Sequence, residues 1–164
     1  MLPAALEERG AAIARELHDS AAMGAGQFCT SPGVTIVPDG ERGRAFVSEL
    51  TGLFERGTPG TLLGASGVRG IAAGVAELTR AGAEILTGGR PVEGERYAFA
   101  SRLLRASGDA FLANPRALQT EAFGTVNLVL VARDVAQMVD IASRLEGNLT
   151  GAIYSGTRGQ DDAA

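Results

Sequence analysis

A chain of 164 residues with 15 basic and 19 acidic side chains carries a net charge of −4, which leaves no electrostatic footprint for nucleic acid or a membrane surface. The 45% apolar share suffices for the core of one domain, and every basic residue is arginine, which excludes a GxxxxGK phosphate loop and a Schiff-base lysine. No apolar run approaches the roughly 20 residues that span a bilayer, and a single cysteine with no apolar leader points to a reducing, cytoplasmic setting.

Leu2, Leu6, Ile13 and Leu17 recur at helical spacing, with Glu7, Glu8, Arg9, Arg15 and Glu16 free for a solvated face; the pattern predicts a helix from Leu2 to about Met23. Val34 to Val37 is β-branched and closed by Pro38-Asp39-Gly40, a strand and a turn. Phe46, Leu50, Leu53 and Phe54 mark a second helix ending at Gly57. Ser66 is a candidate cap for a third, with Val68, Ile71, Val75 and Leu78 inward and a stop near Gly82.

Further along, Ile85-Leu86 before Gly88-Gly89-Arg90-Pro91 reads as a brief strand and turn, and Tyr97 to Leu104 as another strand. Val126 to Val131 is nearly all aliphatic, as in a strand covered on both faces. Asp134 with Gln137 resembles a capping pair for a helix with Val135, Met138, Val139, Ala142 and Leu145 inward and Gly147 beyond its end. Ala152-Ile153-Tyr154 opens a last strand, and residues 156–164 have the composition of a flexible tail. Strands alternating with helices predict an α/β fold, a layered, largely parallel sheet flanked by helices, with residues 1–155 as one domain.

The sharpest local feature is Gly24-Ala25-Gly26-Gln27-Phe28-Cys29-Thr30-Ser31-Pro32-Gly33. A lone cysteine is either a small buried hydrophobe or a nucleophile. The glycines let backbone amides approach a ligand, and amides at the start of a helical turn favour the reactive thiolate. Gly24, Gly26 and Cys29 also spell G-x-G-x-x-C, but a dinucleotide fingerprint follows a strand, and here a helix precedes it. His18, the only histidine, is the one possible partner for a Cys-His pair; its bland role is at the C-terminal end of the first helix. Asp109, Glu93 and Glu95 read as solvated charge, and Asp161-Asp162 lacks the companion ligands of a metal site.

The string Gly26-Gln27-Phe28-Cys29 resembles the active-site segment of the aldehyde dehydrogenase superfamily, and Glu121-Ala122-Phe123-Gly124 resembles that family's Glu-x-Phe-Gly motif. A Gly-x-Leu-Thr stretch follows at Gly147 to Thr150. GQFCTSPG, with the helix ahead of it, is particularly similar to the α-ketoglutarate semialdehyde (2,5-dioxovalerate) dehydrogenase branch. The resemblance implies a catalytic-domain portion of an NAD- or NADP-dependent enzyme oxidising a small aldehyde, a semialdehyde in this branch, to a carboxylate. It implies Cys29 as nucleophile, Gly26, Gln27 and the Cys29 N–H around the oxyanion, Glu121 on the nicotinamide ribose and Phe123 against the nicotinamide. For Glu121 the bland alternative is a solvated loop carboxylate, and for Phe123 a core aromatic.

The sequence also departs from the family. Thr125 stands where a proline is usual, and the general-base glutamate, the oxyanion asparagine and the lysine and glycine-rich turn that hold the dinucleotide lie upstream of the cysteine in the family. None of Glu7, Glu8 or Glu16 sits in a matching motif. The expectation is therefore that this polypeptide alone binds no cofactor and has no turnover. The competing expectation is a non-catalytic module that self-associates through an exposed former domain interface.

Overall fold

The computed structural model describes residues 1–88, 92 and 97–162. At its centre β1 (Val34–Pro38), β2 (Glu84–Thr87), β3 (Arg102–Ser107) and β4 (Val126–Ala132) form one sheet in the order β1-β4-β3-β2. β1, β4 and β3 are parallel, with Val34 opposite Leu128 and Arg102 opposite Val126, and β2 closes the far edge antiparallel to β3. β4 is an interior strand, and Val126 to Leu130 are all buried, as the unbroken aliphatic run requires. The pleat sends Leu128 and Leu130 to one face and Val129 to the other.

Helices cover both faces. α1 (Pro3–Ala22) and α2 (Glu41–Arg56) bury Ile13, Leu17, Phe46, Leu50 and Phe54 against Leu103 and Val129. On the other side α3 (Ala65–Arg80), α4 (Gly108–Ala113) and α5 (Val135–Ser143) bury Ile71, Val75, Phe111, Met138 and Ile141 against Leu104, Leu128 and Leu130. The expected α/β layering, with a mostly parallel sheet between helices, is the observed one. No described helix is long and apolar enough to cross a membrane.

Several local expectations are corrected. Ser66 lies inside α3, whose N-cap is Gly64 and has no side-chain cap. The strand expected over Tyr97–Leu104 begins only at Arg102; ahead of it Ala98 makes one isolated bridge to Thr61. That strand runs on to Ser107, whose hydroxyl accepts from Ala110 N–H and starts the unforeseen α4. In α5, Val139 and Ala142 face solvent, and Gln137, Met138 and Ile141 are inward. Gln137 sets that rotation: its N–H donates to the Asp134 side chain, and its buried amide accepts from Arg133 N–H and donates to Asp109. Asp109 is exposed but bonded, by Gln137 and by Arg133.

No strand forms at Ala152–Tyr154, where Ile153 is exposed and the Tyr154 carbonyl accepts from Leu2 N–H. The outer edge of β1 is already engaged at Ile36, whose carbonyl accepts from the Met1 ammonium. Residues 156–162, where the composition suggests fraying, fold back on α1. Asp161 accepts from Ala4 N–H and Gly156 N–H and so caps a helix whose own N-cap, Leu2, offers no side-chain acceptor. Glu8 accepts from the Thr157 N–H and hydroxyl, and the N–H bond holds its carboxyl below the ordinary range. Residues 89–91 of the expected turn, with Glu93 and Glu95, lie outside the described residues.

Two phenylalanines of opposite burial give a test. Phe54 is 2% exposed and Phe123 44%. Phe54→Ala is expected to cost about 3–5 kcal/mol and Phe123→Ala about 0.5 kcal/mol, measured by urea denaturation.

Candidate active site

Between α1 and β1 the chain makes a left-handed turn. Gly24, Ala25 and Gly26 have φ of 59°, 58° and 69°, and Ala25 is the only non-glycine residue at positive φ among those described. An L-residue there costs roughly 1–2 kcal/mol, so the surroundings must enforce the turn. They do so by contact on both sides. The Phe28 ring lies over Gly24, where a Cβ would meet its Cε2 at 2.6 Å, and a Cβ on Gly60 would meet that of Ala25 at 2.6 Å.

Gly26 has the tightest contact. A Cβ there would stand 2.2 Å from the Gly124 carbonyl carbon and 2.4 Å from Thr125 N, so the glycine's hydrogen face lies directly on the backbone of the Glu121–Gly124 segment. That segment is in turn seated on α3. A Cβ on Gly74 would be 2.8 Å from the Glu121 carbonyl oxygen, and one on Gly124 would be 2.3 Å from Ile71 Cδ1. The two stretches singled out in the sequence therefore meet, backbone against backbone, at the start of β4.

Gln27 is a clamp. Its Nε2 donates to the Gly24 and Thr61 carbonyls and its Oε1 accepts from Leu63 N–H at 2.8 Å. With all three bonds spent on the loop, the side chain acts by shaping the backbone. The loop then crosses Phe28–Ser31 in a tight turn, Ser31 N–H donating to the Phe28 carbonyl at 3.0 Å, with Cys29 exposed inside it. Among the described residues no carbonyl takes the Cys29 N–H. The loop closes at its exit where Asn127 Nδ2 donates to the Pro32 carbonyl and Leu128 N–H to that of Gly33.

Of the buried-hydrophobe and nucleophile readings, exposure of Cys29 removes the first. Glu121 is exposed and Phe123 only half covered, so Phe123 is not a core aromatic. His18 is elsewhere: its ring packs edge-on against Phe54 of α2 at 5.4 Å, its Nδ1 pairs with Asp19, and its buried Nε2 has no partner among the described residues. It is thus a packed aromatic between helices, neither a surface group nor a C-terminal cap. Among the described residues no three His, Cys, Asp or Glu side chains cluster as metal ligands. Asn127 was not singled out by the sequence, because an asparagine inside an aliphatic run reads as a blemish in a strand until the loop it reaches is known.

Residues 10–160 match the model of the aldehyde dehydrogenase family. The chain is 32% identical to alpha-ketoglutaric semialdehyde dehydrogenase 2 of Azospirillum brasilense over 93% of its own length and 29% of that protein's. It therefore spans less than a third of that relative. Its fold is similar to 1-pyrroline-5-carboxylate dehydrogenase of Thermus thermophilus, with a TM-score of 0.79 at 23% identity over 95% of this chain and 31% of that one. It is also similar to succinic semialdehyde dehydrogenase of Streptococcus pyogenes solved with NADP+, with a TM-score of 0.77 at 21% identity over 92% and 34%.

The contact at Gly26 predicts a large asymmetry between two glycines of the same loop. Gly26→Ala is expected to cost about 2–5 kcal/mol, from overpacking plus a left-handed backbone. Gly33→Ala, with nothing within 4 Å of its Cβ, is expected to stay within about 0.5 kcal/mol. Thermal denaturation of the two variants side by side checks this.

Proposed function

Because this chain belongs to the aldehyde dehydrogenase family, we propose that it is the cysteine-bearing part of an NAD- or NADP-dependent enzyme that oxidises an aldehyde to a carboxylate. The observation that carries this reading is the joint seating of the exposed Cys29 loop and the Glu121–Gly124 segment, Gly26 against Gly124. Similarity to an alpha-ketoglutaric semialdehyde dehydrogenase supports a short dicarboxylic semialdehyde as substrate.

In this reading Cys29 Sγ attacks the carbonyl carbon, the C–S bond forms, and the negative charge on the carbonyl oxygen is met by the Cys29 N–H. Gln27 holds the loop so that sulfur and N–H face the same carbonyl. Glu121, an exposed carboxylate able to accept from two hydroxyls, and Phe123, a half-covered ring, fit the ribose and nicotinamide of a dinucleotide. The chemistry a nicotinamide supplies when bound is acceptance of a hydride. Cys29 holds the carbon throughout, first as a thiohemiacetal and finally as a thioester that water opens.

None of Glu7, Glu8 and Glu16 sits in a motif for the base that activates that water. Glu8 is engaged by Thr157 and Gln160 at the tail, and no lysine is present to hold the dinucleotide. Groups that act as a unit fail together. This polypeptide alone is therefore expected to show no NAD- or NADP-linked oxidation of a semialdehyde, followed as absorbance of the reduced cofactor; robust turnover overturns the assignment of the base and cofactor grip to residues outside it.

A second reading is favoured by the apolar side chains around the loop. Met23 is 62% exposed, Phe28 49%, Leu63 93% and Phe123 44%, on segments that meet at Gly26 and Gln27. Such a surface drives self-association. Light scattering over a concentration series is expected to show mass rising above 16.8 kDa; a strict monomer removes this reading and leaves the first untouched.

A further inference from the structure

Asn127, the second residue of β4, is wholly buried and pairs across the ladder with Leu103. Its Nδ2 donates to the Pro32 carbonyl at 3.0 Å, while its buried Oδ1 has no partner among the described residues. One residue on, Leu128 N–H donates to Gly33 at 2.8 Å, and the β1–β4 ladder proper starts at Val34 opposite Leu128. The Asn127 side chain thus extends the ladder backward into the loop that carries Cys29. The amide keeps an acceptor that is buried without a partner among the described residues, a cost to stability, in exchange for its single bond to the loop. Its one bond reaches the third residue after Cys29.

We infer that Asn127 is a positioning residue, fixing the Cys29 sulfur relative to the Cys29 N–H by holding the loop's exit while Gly26 against Gly124 holds its entry. The inference rests on the reading of Cys29 as nucleophile and adds to it a residue that touches no reactant. Both anchors belong to Gly124–Asn127, so the loop is tied at two ends to one stretch of backbone. Losing one tie frees the turn at Phe28–Ser31 without removing the thiol.

Two probes separate alignment from exposure. With p-nitrophenyl acetate, the sulfur forms a bond to the acetyl carbon, the C–O bond breaks, p-nitrophenolate leaves with the electron pair and the thiol proton goes to solvent. That reaction passes through an oxyanion and benefits from an aligned N–H. Iodoacetamide alkylation displaces iodide at a saturated carbon and needs no such donor. The chain has one cysteine and no lysine, so both reactions are read at Cys29 by mass spectrometry, with Cys29→Ser as the blank.

Asn127→Leu is expected to lower the ratio of acylation to alkylation rate about tenfold, with alkylation changed by less than about twofold and the melting temperature lowered by overpacking and by the loss of the Pro32 bond. Asn127→Ala serves the same comparison if the leucine variant does not fold. A ratio that stays at the wild-type value, whether or not both rates change, overturns the inference. A wild-type chain that alkylates normally yet takes no acetyl at Cys29 overturns the nucleophile reading itself, and this inference falls with it.

Discussion

The structure turns on one contact, the Gly26 α-carbon lying on the Gly124 carbonyl with no room for a single added carbon. It fixes where the cysteine loop begins, and it does so against the backbone of the segment bearing Glu121 and Phe123. Backbone cannot swing aside as the end of a side chain can. The left-handed run at Gly24, Ala25 and Gly26 brings the chain from the end of α1 onto the segment ahead of β4 with the glycine face inward. The conformational cost at Ala25 is offset by its burial among α3 and the sheet.

The contact is possible because β4 is immovable. It is the only strand of the described sheet flanked on both sides by parallel partners, and both its faces are packed, Leu128 and Leu130 on one and Val129 on the other. Parallel strands interior to an α/β sheet are the least accessible part of the fold. Anchoring the loop to the first residues of β4 places it where the sheet's rigidity ends and solvent begins, at the amino ends of β1 and β4. Gly74 in α3 performs the matching task from the other side, its missing side chain making room for Glu121 and Ala122.

Much of this was legible in the sequence, and for definite reasons. The doubly covered β4, the β1 turn and the helices ending at Gly57 and near Gly82 are written in periodicity and in residues with few conformational options. What was not legible depended on partners distant in the chain. Val139 and Ala142 fit the apolar stripe of α5 as well as Ile141 does, and only Gln137, tied to Asp109 on α4, decides the rotation. Ala152–Tyr154 has strand composition but joins no ladder among the described residues, and at the outer edge of β1 the Met1 ammonium meets the Ile36 carbonyl. At the site, the motifs named Cys29, Gln27, Glu121 and Phe123, but Gln27 read as part of an oxyanion pocket proves to spend its amide on Gly24, Thr61 and Leu63. Asn127 carried no signal, because its role exists only once Pro32 is beside it.

The placement of these anchors separates two tasks that an aldehyde-oxidising enzyme must perform together. The contacts described for the Cys29 loop, from Gly124 ahead of β4, Asn127 in β4, Thr61 and Leu63 ahead of α3, and Gly60 over Ala25, lie within this chain. Nothing in that set depends on a bound dinucleotide. A nucleophile oriented in advance lowers the barrier to carbonyl attack by making reorganisation unnecessary at the moment of reaction. Removal of hydride, by contrast, needs a cofactor gripped along its length, and the contacts proposed for Glu121 and Phe123 concern its nicotinamide end alone. In the proposed reading, carbonyl addition at sulfur therefore rests on the loop and its anchors at the start of β4, and hydride removal on a cofactor grip that Glu121 and Phe123 do not complete.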